Sequence, residues 1–329
     1  MAACVPATVD LFGNRNLRLS RMTVNSTLPV PAGSLRGPDR PNVEDPLRGV
    51  ALIVAATMCF SLSDVMAKYI GQHLPPVELT WIRYLVFVAM ATTRFLISGR
   101  RNVRVRNPGL QVARGVALVG SAVFFIMALG RLPLADAAAV GFVSPLLITA
   151  LSMPMLGEVV GRRRWAAVAV GFIGVLVVVR PGTGAFQPGA VWVLASSFTW
   201  ALASILTRRI AGTDAATTLL WSSVTGLLLL TLLLPTGFMV PAWWQTLFCV
   251  GLGLVAGTGQ FLMVQAYRHA GAALLAPLSY GQMVYAVVLG WLVFHDLPDT
   301  WTLAGAAIII ASGIYTVHRE RVRARRSGP

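Results

Sequence analysis

GVALIVAATMCFSLSDVMAKYI at residues 49–70 and GAVWVLASSFTWALASILTRRI at residues 189–210 read as two copies of one element, set 140 positions apart. Aligned, Phe60 faces Trp200, Lys68 faces Arg208 and Ile70 faces Ile210. Each copy is a mostly apolar run of about 20 residues ending in a cation, long enough to cross a hydrocarbon core of roughly 30 Å as a helix. The chain therefore reads as a duplicated membrane protein. Many secondary transporters build their substrate site at the interface of such halves.

Working outward, 56 % of the 329 residues are hydrophobic, 12 % are charged and the mean hydropathy is +0.71, which excludes an ordinary soluble domain. A net charge of +15 points toward nucleic acid only if the cations share one surface. Here they sit in short clusters between apolar runs, so the bias is topological and no nucleic-acid partner is expected. Cys4, Cys59 and Cys249 have no metal spacing, and two of them fall inside apolar runs. There is no GxxxxGK[ST] loop, HExxH, CxxC or aspartate-rich cluster, and His73, His269, His295 and His318 all fall at predicted span ends. Neither enzymatic catalysis nor ATP hydrolysis is expected, and no cofactor or metal is implied.

Residues 1–47 are rich in Arg, Pro, Ser and Gly and read as a disordered cytoplasmic tail, with Met22 a second candidate start and Asn25-Ser26-Thr27 a chance sequon. Ten spans follow, at about 49–70, 78–98, 110–130, 134–156, 163–180, 188–207, 216–235, 244–267, 272–294 and 300–317. They divide into a first repeat at 48–182 and a second at 187–318, leaving a basic cytoplasmic tail at 319–329. With the N-terminus inside, 23 of the 27 cations are cytoplasmic and only Lys68, Arg131 and Arg180 lie outside, with Arg83 left within span two. The positive-inside rule then puts both termini in the cytoplasm, as for a multi-pass protein of a bacterial inner membrane. Five spans per half is an odd number, so the second half enters the membrane from the opposite side. The expected fold is thus all-α, ten transmembrane helices in two inverted five-helix repeats. Later in the repeat the offset is 138, pairing Ala128 with Ala266, Arg131 with His269 and Glu158 with Asp296.

These features resemble the EamA-type family of the drug/metabolite transporter superfamily over about residues 48–318. The resemblance is carried by the paired halves, Trp81-Ile82-Arg83-Tyr84, Ser144-Pro145, and Gly157-Glu158 before a Gly-containing fifth span. The second half departs from it, with Ser223 where Arg83 would repeat and His295-Asp296 where Gly157-Glu158 would. FSLSDVMAKYI followed by ELTWIRYL is similar to the subgroup that includes riboflavin and S-adenosylmethionine carriers, on the strength of Asp64, Lys68 and Arg83. The resemblance also implies that Gly171, Gly174, Gly305 and Gly313 lie peripherally and support a homodimer.

In the first span Thr57, Ser61, Asp64 and Lys68 fall at i, i+4, i+7 and i+11, along one helical face. Ionisable groups at this depth cost on the order of 3 kcal/mol each on insertion scales, so they call for a use. Two readings stand side by side. Asp64 couples protons or binds a substrate cation with Lys68 or Arg83 beside it, or it forms a structural pair with one of them. In the second copy Ser204 stands where Asp64 would repeat. Trp200, Gln260, Tyr267, Ser279, Tyr280, Gln282 and Tyr285 add helix-internal aromatic and polar groups that suit a planar organic solute. Pro145, Pro154 and Pro277 interrupt spans four and nine, with Pro145 and Pro277 expected to kink them beside the site. The expected function is secondary transport of a small organic metabolite across the bilayer, with riboflavin or a nucleotide-like solute ahead of amino-acid or drug export. A membrane enzyme or scaffold is the reading from another class.

Overall fold

The computed structural model describes residues 46–97, 104–157, 162–180, 188–210, 213, 215–234, 238–270 and 272–326. Cys4, Met22, the sequon, almost all of the expected N-terminal tail and Glu158 lie outside the described residues. So do the side chains of Tyr267, Pro277, His318 and the C-terminal basic stretch.

The described residues form twelve α-helices and no β-strand. They are α1 (Pro46–Ile70), α2 (Pro76–Ile97), α3 (Pro108–Leu129), α4 (Leu134–Gly141), α5 (Ser144–Leu156), α6 (Arg162–Val179), α7 (Gly189–Arg209), α8 (Ala215–Leu233), α9 (Trp243–His269), α10 (Ala272–Ser279), α11 (Gly281–Phe294) and α12 (Thr300–Arg326). Proline opens α1, α2 and α3, where its missing N–H has no helical partner to lose. Seven stretches are long and apolar enough to cross a membrane, with α4 and α5 counted together. Three more apolar helices, Trp165–Val179, Gly281–Phe294 and Thr300–Tyr315, are shorter.

The fourth and ninth expected spans are each two helices. The first break falls at Phe142 and Val143, and Pro145 lies in the first turn of α5, where it begins a helix instead of kinking one. Only Pro154 is inside α5. The second break falls at Tyr280, three residues after position 277. Phe142 and Tyr280 are 138 positions apart and their rings touch, with centroids 5.0 Å apart and planes tilted by 48°. The ends of these segments also match. Gly157 closes α5 in the left-handed conformation (φ 70°) and His295 closes α11 in the same one (φ 57°), so the substitution at the repeat leaves the backbone turn intact.

Each half packs mainly on the other. Helix α1 lies against α9 and α3 against α7, α2 meets α8, and α6 meets α12. With α1 equivalent to α7 and α3 to α9, the first two are one contact made twice. The glycines expected at a dimer face are engaged inside the chain. A Cβ on Gly174 would stand 2.8 Å from the Gly305 carbonyl oxygen, and one on Gly171 would meet Leu146 and Ser312. Backbone thus approaches backbone between α6 and α12, as small residues permit in membranes.

The loop joining α11 to α12 is tied at two points. Lys68 at the end of α1 reaches Asp296 at 2.7 Å, and Arg180 after α6 reaches Asp299 at 2.5 Å. Asp299 also accepts from the Thr302 N–H at 2.8 Å, capping α12. Its slight burial raises the carboxyl, but the Thr302 and Arg180 hydrogen bonds outweigh that and hold it below the usual carboxylate range. A depressed value means that this contribution is complete above the unfolded value of about 4 and is lost as acid protonates the group. Asp299→Ala is expected to weaken the first turn of α12 by about 1 kcal/mol. Hydrogen exchange would read this as lower protection of the Thr302 amide, a change the unaltered protein shows only in acid.

Candidate functional site

The face of α1 predicted from its spacing is turned into the protein. Thr57, Ser61 and Lys68 are buried, while Asp64 keeps part of its surface open. Thr57 turns its hydroxyl back on the Ile53 and Val54 carbonyls, which leaves it a structural role. Ser61 Oγ donates to the backbone carbonyl of Gln282 at 3.1 Å, and Gln282 Nε2 donates to Asp64 Oδ2 at 3.2 Å. Three candidates from the two ends of the sequence therefore meet where α11 begins, one residue beyond the Tyr280 break. A helix start placed against a helix interior lets a side-chain amide reach a carboxylate that its own helix cannot satisfy.

The structural pair proposed for Asp64 does not form. Lys68 points along the last turn of α1 to Asp296, with its ammonium 4.6 Å from the Phe294 ring centroid. A long flexible stem near a helix end carries its charge toward the interface, away from a partner one turn deeper. Arg83, on α2, acts electrostatically on Asp64 without coming within ion-pair distance. Its guanidinium lies over Phe87, 5.0 Å from the centroid, and its buried Nε has no hydrogen-bond partner among the described residues. Asp64 is six residues from the end of α1 and Arg83 seven from the start of α2, so both lie roughly 10 Å inside helix ends that adjoin.

The other candidates spread more widely. On α7, Val193, Ser197, Trp200 and Ser204 share one face, and Val193 and Ser197 are buried on it, yet Trp200 is 42 % exposed. Ser204 returns its hydroxyl to the Trp200 carbonyl at 2.9 Å. Tyr280 is committed to the Phe142 contact, while Gln260 on α9 and Tyr285 on α11 are half-buried and make no hydrogen bond to the described residues.

Sequence reasoning missed Arg114, which it counted among the cytoplasmic flanking charges. Its guanidinium, carried by α3, donates to Thr207 at 2.6 Å, to the Thr218 carbonyl and to the Ser222 hydroxyl. Hydroxyls at apolar-run positions of α7 and α8 were the available signal. It missed the Lys68–Asp296 tie as well, although the repeat had already singled out both residues.

A family model described as the EamA-like transporter family matches residues 47–180 and again 187–317. The chain belongs to this family. As an EamA-like transporter with several helices able to cross a bilayer, it is an integral, multi-pass membrane protein. It is 24 % identical to an S-adenosylmethionine uptake transporter of Rickettsia prowazekii, over 84 % of this chain and 94 % of that one. It is 27 % identical to a riboflavin transporter of Vibrio cholerae (85 % and 96 % covered) and 27 % identical to a pseudopaline exporter of Pseudomonas aeruginosa (81 % and 94 % covered). A solved protein structure matches with a TM-score of 0.59 at 21 % identity, covering 83 % of this chain and 98 % of that one, a likeness of fold alone. These EamA-like relatives carry transporter names, and the subgroup resemblance drawn from Asp64, Lys68 and Arg83 agrees with two of them.

Proposed function

We propose that this chain is a secondary active carrier that moves a planar, nucleoside-like metabolite across the bacterial inner membrane by alternating access. In this reading α4 with α5 and α10 with α11 each make one crossing, giving ten spans in two inverted five-helix repeats with both termini cytoplasmic. Packing of each half on the other, the Phe142–Tyr280 contact between equivalent positions, and the positive-inside bias support it. One observation carries the reading. Asp64 is an intramembrane carboxylate held, among the described residues, by one side-chain amide from the opposite half, next to a helix break, with the Arg83 guanidinium acting on it electrostatically. Trp200, part of whose surface is exposed, offers an aromatic face suited to stacking a flat ring.

The test is solute counterflow into sealed liposomes holding the purified protein, with labelled S-adenosylmethionine and labelled riboflavin offered separately. Accumulation of either one, abolished when the vesicles are made leaky, is the expected result. A protein that chemically converts either compound in detergent and accumulates neither would be an enzyme, and the carrier reading would fall.

A further inference from the structure

We infer that the site recognises a zwitterion, with Arg83 receiving a carboxylate and Asp64 a cation on the same solute. This deepens the carrier reading above and rests on it.

Arg83 carries a full charge and a fork of five donors, and no hydrogen bond from the described residues reaches it. Asp64 can accept about four hydrogen bonds and takes one from the described residues, that of Gln282. A direct bridge would satisfy both, yet Asp64 is bonded to the Gln282 amide and Arg83 lies over the Phe87 ring. Neighbouring charges do not relieve them. Lys68 is bonded to Asp296, and Arg114 is held by Thr207, Thr218 and Ser222. Tyr84, beside both arginines, is buried against α8, where a Cβ on Gly226 would collide with its ring.

Opposite charges that are not bonded to each other complement a solute whose opposite charges are also separated, and an amino-acid head is such a group. The planar fork of arginine suits a carboxylate better than a lysine ammonium would. A neutral planar solute could hydrogen-bond to either group but would leave the charges of both uncompensated as it displaced their water. Of the named relatives' solutes, S-adenosylmethionine has such a head joined to a flat base.

Thermal stabilisation of the full-length protein in detergent reads binding apart from transport. The ligands are S-adenosylmethionine, its decarboxylated form, the common amino acids and riboflavin, each titrated against the wild type, Arg83→Gln, Arg83→Lys and Asp64→Asn. A zwitterion is expected to stabilise the wild type, with loss of its carboxylate weakening binding roughly 10- to 100-fold. Arg83→Gln should erase that difference and Arg83→Lys restore part of it. Equal binding of the acid and its decarboxylated form by the wild type overturns the inference, as does stabilisation by riboflavin alone or by nothing offered. If Arg83→Gln does not fold, the wild-type comparison still decides. Counterflow on the same samples separates the two claims. A zwitterion bound in this pattern but never carried removes the carrier reading and leaves the inference, whereas riboflavin carried without zwitterion binding does the reverse.

Discussion

Asp64→Asn is expected to leave the protein folded in the membrane while lowering transport at least about 30-fold. Asparagine has the same shape, and its side-chain oxygen can still accept from Gln282 Nε2, so the link between α1 and α11 survives. What disappears is the ability of this position to carry a negative charge. Removing one partner of a buried charge pair typically costs about 2–5 kcal/mol, or roughly 30- to several-thousand-fold, because the other charge stays behind unmatched. Asp64 and Arg83 are not bonded to each other in the protein itself, so the loss is expected on solute binding and transport more than on folding. Counterflow rates at matched protein levels, with melting in detergent as the folding control, measure both. Transport near the wild-type rate would reduce Asp64 to a structural anchor.

Gly305→Val should have the largest effect on stability. A Cβ at Gly305 would stand 2.5 Å from Val178 Cγ2 and 2.6 Å from the carbonyl oxygen of Gly174. The valine could rotate away, but the carbonyl belongs to the backbone of α6 and cannot, so the two helices must separate. Overpacking of this kind costs about 3 kcal/mol or more. With α6 and α12 each packed chiefly on the other, few contacts remain to compensate. Detergent melting should show a clear fall in midpoint for Gly305→Val and none for Gly109→Ala, whose new Cβ meets nothing within 4 Å. An unchanged midpoint for Gly305→Val would mean that α12 packs elsewhere in the membrane.

The helices were legible because length and hydropathy must suit a bilayer whatever the fold, and most expected ends fall within a few residues of the observed ones. The breaks were legible only as disturbances. Pro145 marked the right segment, but the chain leaves the helix at Phe142, before the proline, so that Pro145 can occupy the first turn of the next. Within the site, the spacing Thr57, Ser61, Asp64, Lys68 identified the inward face. It could not reveal that Lys68 would leave Asp64 for Asp296, since that partner is 228 positions away and faces it only once α11 packs on α1. Arg114 was hidden for a related reason. Near a span end a cation reads as a topological signal, and only the hydroxyls of two other helices identify it as an interior one.

The contact of Phe142 with Tyr280 bears on how such a chain can change over time. When equivalent positions of two repeats touch, a complex of two separate identical copies would place a residue against itself, and every mutation there would alter both sides at once. Joined in one chain, the two sides are free to drift separately. Here one is a plain phenyl ring while the other carries a hydroxyl, so a contact that would have to be uniform in a symmetric pair has two sides that can change independently.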